Sequence, residues 1–407
     1  MKIVADFHIH SKYSRATSKD MDIPNLSKWA KIKGVNLLGT GDSTHPEWEK
    51  EIKIYLKEKN DGIYEFEGIN FIISGEVALI FSQAGKTRRV HISYLVKTIE
   101  DMEKINKTLS NYSDLSIDGR PILPLSCIEF VKILKNIAPE TFIYPAHAWT
   151  PWFGIFGSET GFNSLEEAFS DEIKNIYAIE TGLSSDPQMN HLVSKLDNLA
   201  LLSNSDAHSP SNIGREANVF ETELKYDEII KAIISRDKNR FLFTIEFFPE
   251  EGKYHYDGHR NCGVSFSPEE SLKNKNICPV CKKPLTLGVL HRVYDLKDRT
   301  TYDEKKFIPY KNLIPLIEII AQAIGKNTNS KVVEDEYLKL IQKFGNEFNI
   351  LLFLDLNELY GKMDNKIFKL IKNMREGKVR KKPGFDGEYG KIEIIEDFEE
   401  EKPPSLF

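Results

Sequence analysis

The chain has 407 residues, 41% of them hydrophobic and 29% charged, with a formal net charge of −6. That make-up excludes a disordered polymer, leaves room for two or three domains with a sizeable core, and carries no global basic excess that would advertise nucleic acid. No apolar run approaches bilayer length and no signal-peptide layout opens the chain, so a cytoplasmic location is expected; four cysteines in that setting favour metal binding over a disulfide framework.

In chain order, KIVADF predicts a buried strand, and IPNLSKWAKIKG a helix with Leu26, Trp29 and Ala30 on one face. NLLGTGD follows as a strand, then a charged helix over residues 47–59, then the strands FIISGEVALIF and RRVHISYLV. CIEFVKILKNI reads as a helix, TFIYPAH, IYAIETG and ALLSNSDAH as strands, and a helix near residues 226–235 precedes RFLFTIEF. Repeated strand–helix units of this kind predict a parallel sheet, open or closed into a barrel. The expected division is a catalytic α/β unit over 1–248, a metal-binding ribbon over 249–302, a helical region over 303–385 and an acidic tail over 386–407.

The polar residues that close the strands form a pattern. They are His8 and His10, then Asp42, Glu76, His91, His147, and lastly Asp206 and His208. Active sites of parallel α/β folds gather at the carboxyl ends of strands, and these side chains are the ones that bind divalent ions. His8 and His10, two apart, leave their strand on the same face. A single such histidine is ordinarily structural; two paired motifs plus four single residues predict a polynuclear metal site.

Further along, His259 with Cys262 and Cys278 with Cys281 repeat a two-residue gap, the layout of a closed structural zinc site. His255 is an alternative to His259, at a less usual gap. Cys127, in a helical pattern, reads as a buried apolar residue. Local basic groups, Arg88 and Arg89 and the stretch carrying Lys378, Arg380 and Lys381, are either solvated faces or a polyanion grip.

FHIHSKYS, GTGD, a strand Glu, a strand His, PAH and SDAH, in this order, resemble the polymerase-and-histidinol-phosphatase (PHP) superfamily. The resemblance implies a distorted (β/α)7 barrel holding two or three divalent metals (Zn2+, Mn2+ or Mg2+) on His8, His10, Asp42, Glu76, His91, His147, Asp206 and His208. One departure is visible: Ser43 follows Asp42 where the superfamily carries His. His45, three positions on, either replaces that ligand or only caps the helix beginning at Pro46.

The barrel, the His/Cys zinc ribbon and the helical segment ending MREGKV…PGFDGEYG together are similar to the endonuclease Q family, with PAHAWTPW, LSNSDAHSP and CPVC intact. That similarity implies DNA repair by incision 5′ to a deaminated base (uracil, hypoxanthine, xanthine) or an abasic site. Glu76 is expected to bridge two metals, with Asp206 and His208 completing the catalytic set. Trp149 and Trp152 either stack on an extruded base or cover the barrel mouth; Arg215 holds a phosphate oxygen or a structural partner. Glu180 is second-layer or catalytic. Two rival functions are a phosphatase of small phosphate monoesters, which needs no ribbon, and an inactive module that binds nucleic acid. A sliding clamp is a conceivable partner, but the end KPPSLF lacks the Gln and paired aromatics of a clamp-binding peptide.

Overall fold

The computed structural model describes residues 1–396. Seven strands follow one another in a ring: β1 (Lys2–Asp6), β2 (Leu37–Gly39), β3 (Ile69–Gln83), β4 (Lys86–Val96), β5 (Phe142–Pro145), β6 (Ala178–Glu180) and β7 (Ala200–Leu202). Continuous pairing links β1 through β5, and separately β6 with β7. Two isolated bridges, Ile143 with Ile176 and Ile9 with Ala207, join these stretches end to end. The result is a distorted α/β barrel.

The expected all-parallel order fails at β4, which runs antiparallel to both β3 and β5. β3 and β4 are antiparallel, from Ile73 opposite Val96 to Gln83 opposite Lys86. Ala84 and Gly85 between them both have positive φ, 51° and 74°, as a two-residue turn needs when its twist must match that of the flanking strands. Glu76 and His91 therefore lie within a long hairpin rather than at strand ends. The helix expected over 47–59 is also shorter: it spans Pro46–Tyr55, and Lys57–Asn60 instead pairs with Ile63–Phe66 across a turn containing Gly62. Leu56 is already extended, which ends the helix, and Gly62 at φ 73° lets the chain reverse into the second strand.

The first helix, Ile23–Lys33, starts where the Asp22 side chain accepts the Asn25 N–H and stops at Gly34, whose φ of 91° is open to a residue without Cβ. Its buried face, including Leu26 and Ala30, covers the barrel. β8 (Ala217–Glu221) and β9 (Phe241–Glu246) extend the sheet beyond β1 in antiparallel fashion. A small hairpin of β10 (Asp257–His259) and β11 (Val264–Phe266) packs Val264, Cys278 and Leu285 into its own core.

The helices Leu316–Ile324, Lys331–Phe344 and Asn365–Arg375 return to the barrel. They are tied to its first helix by Glu347, which accepts from Lys33 Nζ at 2.7 Å, Tyr337 Oη at 2.6 Å and Leu316 N at 2.9 Å. β12 (Val379–Lys382) pairs with β13 (Lys391–Ile394), so part of the segment read as an acidic tail is a strand. Residues 397–407, with half of the tail's acids and the KPPSLF end, lie outside the described residues.

Candidate metal centre

The chain turns sharply where it leaves three of the barrel strands, β2, β5 and β7. Asp42, His147 and Asp206 all sit at left-handed φ (45°, 28° and 47°), a conformation that costs a non-glycine residue energy and clusters at functional sites. Neighbouring glycines make the crowding possible: a Cβ on Gly182 would lie 2.6 Å from that of His147, and one on Gly39 would lie 2.2 Å from the Phe7 carbonyl oxygen.

These turns bring donors together in three groups: His8, His10 and Glu76; His10, Asp206 and His208; Glu76, His91 and His147. Within each group the candidate ligand atoms lie within 4.8 Å of one another. Glu76 and His10 are each shared by two groups, so the centre is one chain of adjoining sites. Glu76 turns one oxygen each way: Oε1 is 3.0 Å from His91 Nδ1 and 3.2 Å from His147 Nε2, while Oε2 is 3.4 Å from Nε2 of both His8 and His10.

A second layer fixes the ring orientations. His8 Nδ1 donates to Glu180 at 2.9 Å and His10 Nδ1 donates to Asp42 Oδ1 at 3.0 Å. A carboxylate only accepts, so both Nε2 atoms face inward, able to carry a lone pair. Thr150 Oγ1 lies 2.9 Å from His147 Nδ1, and His208 Nδ1 lies 2.8 Å from the Asp206 carbonyl, with the same consequence.

His8 Nε2, His10 Nε2, Glu76 Oε1 and Asp206 Oδ1 are buried without a hydrogen-bond partner, although they converge. Buried polar atoms left so are costly. Imidazole and carboxylate donors in this convergence fit divalent cations.

The carboxylates give the centre a strong preference for positive charge. Burial opposes charge on His8, but Glu180 and Glu76 outweigh it and hold the imidazole well above its usual range. His10 is likewise desolvated, yet Asp42 and Asp206 raise it to about 9. Burial also works against ionised Glu76, whose carboxyl is nevertheless held well below normal by His91, His8 and Arg120. At His91 burial wins and pushes the ring down to about 4.

Two expected ligands fall elsewhere. Asp42 stands behind His10, its Oδ2 taken by Ser11 N at 2.6 Å, Ser11 Oγ at 2.7 Å and Ser14 Oγ at 2.8 Å. It orients the His10 ring and lies outside the three donor groups. His45 precedes the helix Pro46–Tyr55 without capping it through its side chain; the ring stacks on Tyr13 at 4.4 Å and Nε2 donates to the Ser116 carbonyl at 3.1 Å. Arg120, which no sequence motif marks, reaches Glu76 Oε2 through Nη1 at 3.2 Å.

The cysteine pairs close a second centre. His259, Cys262, Cys278 and Cys281 bring one donor atom each within 4.8 Å of the others, and His255 stays out of the group. Cys127 is fully buried in its helix.

The polyanion candidates separate. Trp149 is a core residue, 1% exposed, its Nε1 donating to Asn190 at 2.7 Å. Trp152 is 54% exposed, with the Arg89 guanidinium 5.8 Å from its ring, and its neighbour Phe153 packs 4.3 Å from His91. Arg88 bonds the Gly161 carbonyl and lies over Phe162, and Arg215 Nε donates to Ser205 O at 3.0 Å; both brace loops. On β12, Lys381 pairs with Glu250 at 2.7 Å and Arg380 remains 74% exposed, while Lys378, just before the strand, pairs with Glu376 at 2.7 Å.

No helix among the described residues is long and apolar enough to cross a membrane. Residues 315–378 match the family described as the MJ0043 C-terminal domain. The uncharacterized protein MJ0043 of Methanocaldococcus jannaschii is 35% identical over 60% of this chain, which spans about a third (31%) of that relative's length. YqxK of Bacillus subtilis is 27% identical over 96% of this chain and 99% of its own.

Among solved structures, the lesion-specific endonuclease PfuEndoQ of Pyrococcus furiosus superimposes with a TM-score of 0.87 at 34% identity, covering 97% of this chain and 96% of that one. An endonuclease Q in complex with a 27-mer duplex bearing an abasic lesion at the active site gives 0.85 at 33% identity, covering 97% of both. With barrel, cysteine ribbon and helical region all inside that likeness, the chain belongs to the endonuclease Q family of enzymes.

Proposed function

We propose that the chain is a metal-dependent DNA repair endonuclease that incises the phosphodiester bond 5′ to deaminated bases (uracil, hypoxanthine, xanthine) or abasic sites. The observation that carries this reading is the row of three donor groups sharing His10 and Glu76, with unpartnered buried atoms converging between them. Divalent cations held there (Zn2+, Mn2+ or Mg2+) supply a water nucleophile of lowered pKa and positive charge against the phosphate.

The chain's own residues do the rest. Glu180 and Asp42 keep His8 and His10 in the tautomer that presents Nε2. Glu76 serves both sides of the centre through its two oxygens. Asp206 and His208, with side chains 26% and 32% exposed, face the open side where a backbone phosphate enters. Trp152, beside Arg89 at the rim, offers an aromatic face to an unstacked base. Residues 1–248 form the cutting unit in this reading; 249–302, stapled by Zn2+ on the His/Cys tetrad, and 303–385 hold the duplex, with Arg380 exposed on β12.

The test is incision of duplexes carrying one uracil, hypoxanthine, xanthine or abasic site, beside hydrolysis of a small phosphate monoester. Nicking 5′ to the lesion, lost at least a hundredfold in Asp206→Asn, supports the proposal. Monoester hydrolysis without nicking refutes it.

A further inference from the structure

Arg120 stands out in the centre because neither the donor groups nor the second layer accounts for it. Most of the clustered side chains are sealed: His8, His10, Glu76, Asp42, Glu180, His91 and His147 are all at most 9% exposed. Only Asp206 (26%), His208 (32%) and Arg120 (25%) reach solvent to any extent. Arg120 is the cation among these three.

Its position is built rather than incidental. Gly119 is pressed against the second layer: a Cβ there would stand 2.3 Å from Asp42 Cγ and 2.4 Å from Ser14 Oγ. The Gly119 N–H donates to Tyr13 O at 3.1 Å, and its carbonyl accepts from Thr44 Oγ1 at 3.1 Å. Asp118 Oδ1 accepts the Arg120 N–H at 3.1 Å. Two anchors on Gly119 and one on Arg120 itself thus fix the backbone that carries the guanidinium.

Nη1 is spent on Glu76 Oε2, and the guanidinium has no other hydrogen-bond partner among the described residues. A planar fork with unspent donors at the mouth of a carboxylate-rich centre matches the paired oxygens of a phosphate.

We infer that Arg120 is a catalytic residue that receives a non-bridging oxygen of the scissile phosphate, held in place by Glu76 on one side and the Gly119 anchor on the other. This rests on the phosphodiesterase reading above. In the step itself a water oxygen bonds to phosphorus and a phosphorus–oxygen ester bond breaks. The departing oxygen leaves as an alcohol with one of the water's protons, and the other proton passes to solvent. Arg120 exchanges no proton and stabilises the charge that builds on the phosphate oxygens.

The experiment compares full-length wild type, Arg120→Gln and Arg120→Lys, each loaded with Mn2+. Inorganic phosphate binding is measured by calorimetry, metal content by elemental analysis, and single-turnover incision on an abasic duplex. Expected for Arg120→Gln are unchanged metal content, phosphate binding weaker by at least tenfold, and incision slower on the order of a hundredfold or more. Arg120→Lys recovers part of both, and added guanidinium restores part of the Arg120→Gln rate.

Phosphate binding that is equal in wild type and Arg120→Gln, or absent from wild type, overturns the inference. So does metal loss in step with activity, because Arg120 then only braces Glu76. If wild type fails to nick the lesion but phosphate binding still depends on Arg120, the lesion-nuclease reading falls and the role of Arg120 stands.

Discussion

Asp42→Asn tests how the second layer controls the centre. Asn tolerates the left-handed backbone at this position, so the turn survives and only the hydrogen-bond polarity changes. Oδ2 of Asp42 faces three donors, one of them the Ser11 backbone N–H at 2.6 Å, which cannot turn away. The amide therefore keeps its oxygen on that side and turns its NH2 toward His10 Nδ1. Faced with a donor, Nδ1 must present its lone pair, and the ring hydrogen moves to Nε2. Nε2 of His10 serves two of the three groups, so both lose a ligand while Glu76, His91 and His147 keep theirs.

Losing such a partner costs roughly 10- to 100-fold in metal affinity, or about 1.4 to 2.8 kcal/mol. Chelator-competition titration of wild type and variant, with circular dichroism to confirm the fold, reads this directly. Wild-type affinity at every site in the variant would refute the claim that Asp42 sets the tautomer of His10.

Other outcomes follow from the same geometry. Cys278→Ser removes one of four ribbon donors and should release the ribbon's metal and lower its melting temperature while leaving the barrel's metal content intact, checked by elemental analysis and calorimetry. Trp149→Ala should cost about 3–5 kcal/mol of stability, whereas Trp152→Ala should leave the denaturation midpoint unchanged and weaken binding to an abasic duplex, measured by anisotropy. Burial, with Asp186 nearby, lifts Glu246 from 4.5 to about 8 against the hydrogen bonds from Thr244 and Thr181. The folded chain then holds more protons than the unfolded one between about pH 4.5 and 8, so stability falls as pH rises through that window. Glu246→Gln should flatten that decline in urea titrations at pH 5 and pH 8.

The donor set was legible because its chemistry is written in local spacing. FHIH and SDAH place pairs two apart, and a strand leaving its last hydrogen bond must aim both at one face. What escaped was anything settled by a turn or by distance along the chain. Asp42 has a ligand's chemistry, and only the proximity of Ser11 and Ser14 shows that its oxygens are already taken. His45 lies near enough in sequence to replace the missing histidine after Asp42, yet the ring is drawn off by Tyr13 and the Ser116 carbonyl. Arg120 belongs to a loop with no motif, and its aim depends on the crowding of Gly119 against Asp42. The reversed strand β4 had a signal in Ala84–Gly85, outweighed by the surrounding strand–helix alternation. Trp149 and Trp152, three apart, look equivalent in sequence; one is buried by Asn190 and Phe156 and the other left outside.

The bridge between Ile9 and Ala207 gives the barrel a seam, since no continuous ladder joins β7 to β1 there. His10 lies on one lip of that seam and Asp206 and His208 on the other. A cation gripped by these three would act as a clasp across the gap, so loading the centre would tighten the barrel where its pairing is thinnest. Amide protons along this lip, the His10 N–H donated to Ala207 O among them, should exchange with solvent far more slowly once the clasp is fastened. Stripping a metal from such a centre would loosen the frame as well, which would make structural integrity a gauge of readiness to cut.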